Sequence, residues 1–468
     1  MKRFRSAPRE GRANKMPSVL RLVAAGALAS GLVATSFAMG ARGAAGAPAA
    51  PGVTAAGEVK PKMHGHWVNT WTAMPQLTEP GNLPPAPFTQ DNLVFADATL
   101  RQTVRVTVGG RQFRLRLSNA FGGAALPITQ VSVALPAGGQ AGVSAIQPGT
   151  SKPVTFSGRT SIVVPVGAQV VSDPLNFDLS SRTNLTVTMY LAQGQASNNV
   201  TSHPGSRTNS YMLAGNHVGD ADLPGSATAA HWYFISGVEM WSRPTTSAAV
   251  MVGDSLTDGR GSTTNMNDRW PDQLLDRLQS RPGTSNIAIL NQAAGGNRVL
   301  NDGLGPNALG RVDRDVLAQS GVKWLLVFEG VNDIGTAEAG EAAQKQTVDD
   351  LITAFDQIIV RAHAQGIRVY GATITPFGGN VPGYDDPAGV REAARQQVNE
   401  WIRTSHRFDA VVDFDQVARD QANPRQLAPA FDVGDHLHLN PLGYKALADA
   451  VPARLFELRS LPTDFGFN

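Results

Sequence analysis

Four short stretches of the chain hold residue types capable of nucleophilic or acid–base chemistry. The first, Gly253-Asp254-Ser255-Leu256-Thr257-Asp258-Gly259, follows a continuous apolar run from Ala248 to Val252. A serine at such a strand-to-helix turn has its hydroxyl at a crevice and its own N–H near a helix start, where negative charge is favoured. The same position suits a plain helix cap. No G-x-S-x-G elbow surrounds it, so the ordinary α/β-hydrolase arrangement is not supported. The second stretch is Ala293-Ala294-Gly295-Gly296-Asn297-Arg298, after a short strand ending in Asn291. Its adjacent glycines either expose N–H groups to an oxyanion or phosphate, or simply form a turn. In the third, Glu329-Gly330-Val331-Asn332-Asp333, Asn332 offers an amide donor of the kind that stabilises tetrahedral intermediates.

The fourth stretch is Asp432-Val433-Gly434-Asp435-His436-Leu437-His438-Leu439-Asn440-Pro441. Asn440 and Pro441 read as the cap and first residue of a helix with Tyr444, Leu447, Ala448, Val451 and Leu455 on its face. Asp435 can reach the imidazole Nδ1 of His438, three positions on. That bond would fix the tautomer and leave Nε2 as a base. The spacing prefers His438 to His436. The alternative is a metal held by Asp435, His436 and His438, with Asp254 as a further ligand. It is disfavoured because the histidines are two apart and no other histidine cluster accompanies them.

The elements that must position these residues alternate. Strands are expected at Ala248 to Val252, Ala288 to Leu290, Trp324 to Phe328, Val369 to Ile374 and Ala410 to Phe414. Helical spacing links Trp270, Leu274, Leu275 and Leu278, and again Val348, Leu351, Ile352, Phe355, Ile359 and Ala362. Such alternation predicts a doubly wound parallel sheet, open for a site at its carboxyl ends, and three of the five strand-end loops carry the residues above.

Upstream, from His66 to about Trp241, the pattern has period two. Val104, Val106 and Val108, then Gly109-Gly110, then Phe113, Leu115 and Leu117 predict a hairpin. Further short runs punctuated by turn residues imply an all-β, sandwich-like domain. Arg243 to Thr246 reads as a linker. Trp67, Trp71, Trp232, Tyr233 and Trp241 are either sugar-stacking residues or packing against the following half.

Composition narrows the classes. The chain has 468 residues, 42% hydrophobic, with 48 Gly and 30 Pro, which excludes low complexity and predicts two domains. There are no cysteines, so thiol nucleophiles, thiolate zinc sites, disulfides and lipoprotein acylation are excluded. The net charge is +2, but residues 1–47 hold eight basic groups against one acid, which leaves −5 on the remainder. No basic footprint for nucleic acid survives there. A basic start, an apolar run from about Leu22 to Met39 and Ala-rich sequence at Ala45 to Ala47 predict a secretory signal. A membrane-anchoring helix is the other reading of that run. The expected organisation is a signal over 1–47, a tether over 48–63, a β-sandwich-like domain over 64–241, a linker over 242–247 and a hydrolase domain over 248–462.

Taken together, the four blocks resemble the SGNH hydrolases, or GDSL esterases and lipases. Gly253-Asp254-Ser255-Leu256 looks like the nucleophile block and Gly296 like the oxyanion glycine. Gly330-x-Asn332-Asp333 resembles the asparagine block and Asp435-x-x-His438 the acid and base block. The resemblance covers residues 248 to about 457. It implies a flavodoxin-like three-layer α/β/α domain hydrolysing esters with no metal or cofactor. Ser255, His438 and Asp435 would be catalytic, and the Ser255 N–H, Gly296 N–H and Asn332 amide would form the oxyanion hole. Asp254, Asp258 and Asp333 are expected to brace loops. Arg298 and Trp270 lie near the site, with ion pairing and core packing as their more ordinary roles.

The expectation is therefore an exported serine ester hydrolase acting through an acyl-enzyme on short-chain or acetyl esters, acylated carbohydrate among them. Its partner is a small-molecule or polymer-borne ester, with no nucleic acid and no membrane span after processing. A lipase or phospholipase on acyl lipids is one alternative. A non-catalytic polymer-binding surface protein with a hydrolase-like half is the other.

Overall fold

The computed structural model of the chain describes residues 64–457; the expected signal and tether lie outside them. Five parallel strands form the sheet of the second half, in the spatial order Ile287–Asn291, Ser247–Gly253, Val322–Phe328, Arg368–Ala372, Ala410–Val412. The first strand in sequence thus lies between the second and third. Connections diverge on either side of it, opening a crevice at its carboxyl end. The strands are almost wholly buried, as continuous apolar runs between helical layers require. Helices Trp270–Gln279, Glu341–His363, Val390–Thr404 and Pro441–Ala450 cover the faces. The last ends earlier than its apolar spacing predicted, because Pro452 follows Val451 and a proline restricts its predecessor away from helix.

The first half contains two principal antiparallel sheets. One joins His66–Thr72, Ile235–Ser242, Gly110–Ser118 and Gln169–Val171, with Leu175–Leu179 also on Gly110–Ser118. The other runs Ala227–Ala229, Ser210–Ala214, Ala98–Arg105, Asn184–Leu191, Gln130–Ala134, Lys152–Val154. Their inner faces meet in a core that includes Leu100, Val104, Phe113, Leu115, Leu117, Val187, Met189 and Val238.

The expected hairpin across Gly109-Gly110 does not form. Ala98–Arg105 pairs with Asn184–Leu191 and Ser210–Ala214, whereas Gly110–Ser118 pairs with Ile235–Ser242. Alternation correctly marks which side chains are buried, but it does not choose the partner strand. Nor do the glycines adopt positive φ. They permit close approach instead: a Cβ on Gly109 would lie 2.3 Å from the Leu179 carbonyl oxygen, and one on Gly110 2.7 Å from Met240 Sδ.

Both halves fall in one compact unit. Val68 and Val108 of the β half belong to the hydrophobic core of the α/β half. Polar ties reinforce this contact. The Asn69 N–H donates to the Ser320 carbonyl at 3.0 Å, and the Ser320 N–H to Asn69 Oδ1 at 2.7 Å. Arg105 bonds Asp276 at 2.8 Å.

Candidate active site

The Ser255 turn is built by local constraints. Asp254 caps the short helix Ser255–Asp258 by accepting the Leu256 N–H at 2.9 Å. A Cβ on Gly253 would stand 2.3 Å from Thr257 Oγ1 and 3.0 Å from the Phe328 carbonyl oxygen, so only glycine lets the turn close. Ser255 is 7% exposed, just reachable from the crevice.

Its Oγ lies 2.8 Å from His438 Nε2, and His438 Nδ1 lies 2.7 Å from Asp435 Oδ2. The other Asp435 oxygen accepts the backbone N–H groups of His438 at 2.8 Å and Leu437 at 3.1 Å. The carboxylate therefore grips both the backbone and the ring of the same histidine. Because Asp435 can only accept, Nδ1 carries the hydrogen and Nε2 presents its lone pair to the serine hydroxyl. The loop is held from behind by Asn440, which accepts the Gly443 N–H at 3.0 Å and donates to the Ala430 carbonyl at 2.9 Å. Burial pushes the His438 pKa below its usual 6.5, Asp435 opposes this, and the Arg260 and Arg207 charges add to the lowering. Partial burial raises Asp435, but the N–H and ring of His438 outweigh it and hold the carboxyl below the usual range.

Opposite these groups lies the Gly295-Gly296 turn. Gly296 adopts φ +75°. Neither its N–H nor that of Ser255 donates to a protein acceptor among the described residues. Asn332 joins them in the same cleft, one Nδ2 hydrogen bonding the Asn297 carbonyl at 2.7 Å and its Oδ1 accepting the Tyr384 hydroxyl at 2.5 Å. The Asn297 carbonyl can only accept, so it settles which way the amide faces and leaves the second Nδ2 hydrogen for a ligand.

The aspartates expected to brace loops do so. Asp333 accepts the N–H groups of Val299 at 2.9 Å and Leu300 at 3.0 Å. Asp258 Oδ2 accepts the Gly295 N–H at 3.1 Å. Arg298 donates to the Asp302 carbonyl, and Trp270 is core, its indole N–H on Thr257 Oγ1 at 3.2 Å. His436 turns away to Asp432, 2.7 Å distant, so His436 and His438 serve separate carboxylates.

Beneath the turn, burial pushes Asp333 up to about 6, and burial reinforced by neighbouring carboxylates pushes Asp254 up to about 7 and Glu329 well above the carboxylate range. Both Glu329 oxygens lack a hydrogen-bond partner among the described residues. Asp254 and Glu329 thus favour the protonated form, which spares the interior a concentration of negative charge.

The cleft, about 440 Å³, is closed on one side by the β half, which contributes Gln76, Glu79, Asn82, Pro204, Arg207 and His231. None of these was singled out by sequence. Nor was His203, whose Nε2 lies 2.9 Å from Asp258 Oδ1. Its partner is 55 residues away, beyond the reach of any spacing rule. Trp71, Trp232 and Tyr233 are buried, with Trp71 and Trp232 edge to face at 4.9 Å, so they present no open face to a sugar. Trp67 and Trp241, both half-buried, pack on each other at 5.2 Å.

Residues 251–446 match the model of the GDSL-like Lipase/Acylhydrolase family. Among solved structures, the chain is similar to an acetyl xylan esterase from Geobacillus stearothermophilus, 22% identical, with 44% of this chain and 92% of that one covered and a TM-score of 0.33. The acetyl xylan esterase AlAXEase is 19% identical over 43% of this chain and 96% of its own, with a TM-score of 0.33. A GDSL-like lipase from Bacteroides thetaiotaomicron VPI-5482 is 16% identical over 44% and 85%, with a TM-score of 0.30. No curated protein sequence matches the chain.

Proposed function

We propose, from the match of residues 251–446 to the GDSL-like lipase/acylhydrolase family, that the chain is a carboxylic ester hydrolase acting through an acyl-enzyme on Ser255, on short-chain or acetyl esters. The observation that carries the reading is the unbroken chain from Ser255 Oγ through His438 to Asp435, at 2.8 and 2.7 Å. Ser255 Oγ attacks the ester carbonyl carbon as His438 Nε2 takes its proton. The oxyanion is received by the Ser255 and Gly296 N–H groups and the remaining Asn332 hydrogen. Collapse expels the alcohol, which leaves with the proton from His438. Water then attacks the acyl-enzyme, giving a proton to His438, which passes it to Ser255 Oγ as the second intermediate collapses and the acid departs. Asp435 keeps the ring in the productive tautomer throughout.

Polar side chains on the β-half wall, among them Gln76, Asn82, Arg207 and His231, support a hydrophilic alcohol portion such as acylated carbohydrate over a long acyl chain. Among the described residues no helix is long and apolar enough to cross a membrane. The basic then apolar order of residues 1–47 supports export, which N-terminal sequencing of protein recovered outside an exporting host tests.

The decisive measurement combines mass spectrometry with a substrate panel. A +42 Da acetyl adduct on the Ser255 peptide after rapid quenching with p-nitrophenyl acetate is expected, together with kcat/KM falling as the acyl chain lengthens. Hydrolysis by Ser255→Ala at the parental rate removes the nucleophile assignment, and rising kcat/KM with chain length transfers the reading to a lipase.

A further inference from the structure

We infer that His203, from the β half, is a positioning residue for ester hydrolysis: through Asp258 it holds the Gly295-Gly296 turn in the geometry that receives the oxyanion. This rests on the reading of Gly296 as an oxyanion donor. The connection has three links, the first two buried and the third partly so. His203 Nδ1 lies 3.1 Å from the Met74 carbonyl oxygen and Nε2 lies 2.9 Å from Asp258 Oδ1. Asp258 Oδ2 then accepts the Gly295 N–H at 3.1 Å, one residue before Gly296.

Each ring nitrogen of His203 faces an acceptor, so both bonds form together only when the ring carries a hydrogen on each nitrogen. That distinguishes it from His438, whose Nε2 must stay open to take a proton. His203 therefore cannot serve as a base in this arrangement; its capacity is spent on orientation. The ring is stacked on Trp232 at 5.7 Å and 26°, and Trp232 is itself tied by its indole N–H to the Thr103 carbonyl at 3.0 Å. Asp258 is fully buried, and burial alone would raise its pKa. His203 outweighs that, helped by Arg207 and Arg269, and holds the carboxyl below the usual range. An ionised Asp258 is the stronger acceptor for the Gly295 N–H, so the β half sets how firmly the turn is held.

The surrounding backbone is shaped to this contact. A Cβ on Gly205, two residues after His203, would stand 1.6 Å from Asp258 Oδ2, so the carboxylate occupies space that only glycine leaves open. A packing role alone would need neither two donating nitrogens nor a carboxylate shared with the turn beside the nucleophile. Small displacements of an oxyanion donor weaken a bond made in the transition state and leave ground-state binding nearly untouched.

The test uses the full chain, p-nitrophenyl acetate, and active-site titration so that rates refer to competent molecules. His203→Phe keeps the ring stacking but donates nothing; His203→Gln restores a single donor. kcat is expected to fall about 30- to 100-fold in His203→Phe with KM within about twofold, and His203→Gln to recover part of the loss. A folded His203→Phe with kcat within about twofold of the parent overturns the inference, whatever its melting temperature. Should His203→Phe fail to fold, the same criterion applies to His203→Leu, which likewise donates nothing. Ser255→Ala is run alongside. Activity retained there defeats the underlying site, whereas an inert Ser255→Ala beside an unimpaired His203 variant defeats only the positioning role.

Discussion

Two histidine–carboxylate pairs serve one crevice from opposite sides. His438 and Asp435 are three residues apart and 2.7 Å from each other, in a loop that one turn of chain can close. His203 and Asp258 come from different halves and meet at 2.9 Å across a buried contact. The first pair keeps one ring nitrogen for the nucleophile, while the second uses both nitrogens on fixed acceptors. On the proposed mechanism the same two residue types thus serve as acid–base machinery in one place and as a brace in the other. The difference is set by what faces the second nitrogen, a hydroxyl that can lose a proton or a carbonyl that cannot.

The largest effects should come from breaking the first pair. Ser255→Ala and His438→Ala are each expected to reduce kcat by about 10⁴-fold or more, and the double variant to be little worse, since the two act as a unit. A double variant that multiplies the single losses would mean that they act separately. Asp435→Asn keeps the shape but can turn an amide N–H toward Nδ1 and favour the wrong tautomer. A fall in kcat of about 10³- to 10⁴-fold is expected, with the fold unchanged by circular dichroism.

Asn332→Ala removes the amide proposed to donate only when charge develops. Its kcat should drop by about 10²- to 10³-fold with KM nearly constant, and a KM effect alone would place Asn332 in ground-state binding.

Two smaller effects concern pH. As the proposed base His438 must be unprotonated, and burial chiefly pushes its pKa down, so the acid limb of kcat/KM should have its midpoint below 6.5. Arg260→Gln removes a charge that contributes to the lowering and should move that limb upward; an unchanged limb would show the charge to be screened. Finally, Asp254 is raised to about 7 from 3.8, so the folded state binds more protons than the unfolded one between those values. Its contribution to stability is present in full below the unfolded pKa and is lost as pH rises through the folded value. Denaturation midpoints should therefore fall less from pH 5 to pH 8 in Asp254→Asn, which can still cap the turn, than in the parent. Equal slopes would remove the buried acid as the cause.

Legibility in the sequence followed the range of the interaction. The α/β half was readable because buried parallel strands are continuous apolar runs and the helices between them keep a visible period. The helix Val390–Thr404 escaped notice for a physical reason. Its buried face includes Arg395 and Asn399, which read as polar, yet Arg395 is satisfied by Asp415 at 2.7 Å and the Ile374 carbonyl at 2.8 Å. In the β half the alternation identified inward residues such as Phe113 and Leu117, but the predicted hairpin was wrong because strand partners are chosen by the whole sandwich.

The sequence alone determined what closes within a few residues: the Asp254 cap under Ser255, the Asp435 to His438 spacing, the Asn440 cap behind it, and the exclusion of thiol chemistry. Those features need only a turn of backbone, so local residue order suffices to specify them. Tertiary structure alone decided that the β half forms a wall of the cleft, that Tyr384 and the Asn297 carbonyl orient Asn332, and that His203 reaches Asp258. Such contacts join groups tens of residues apart whose meeting depends on how two cores pack, and no periodicity in either segment records the other.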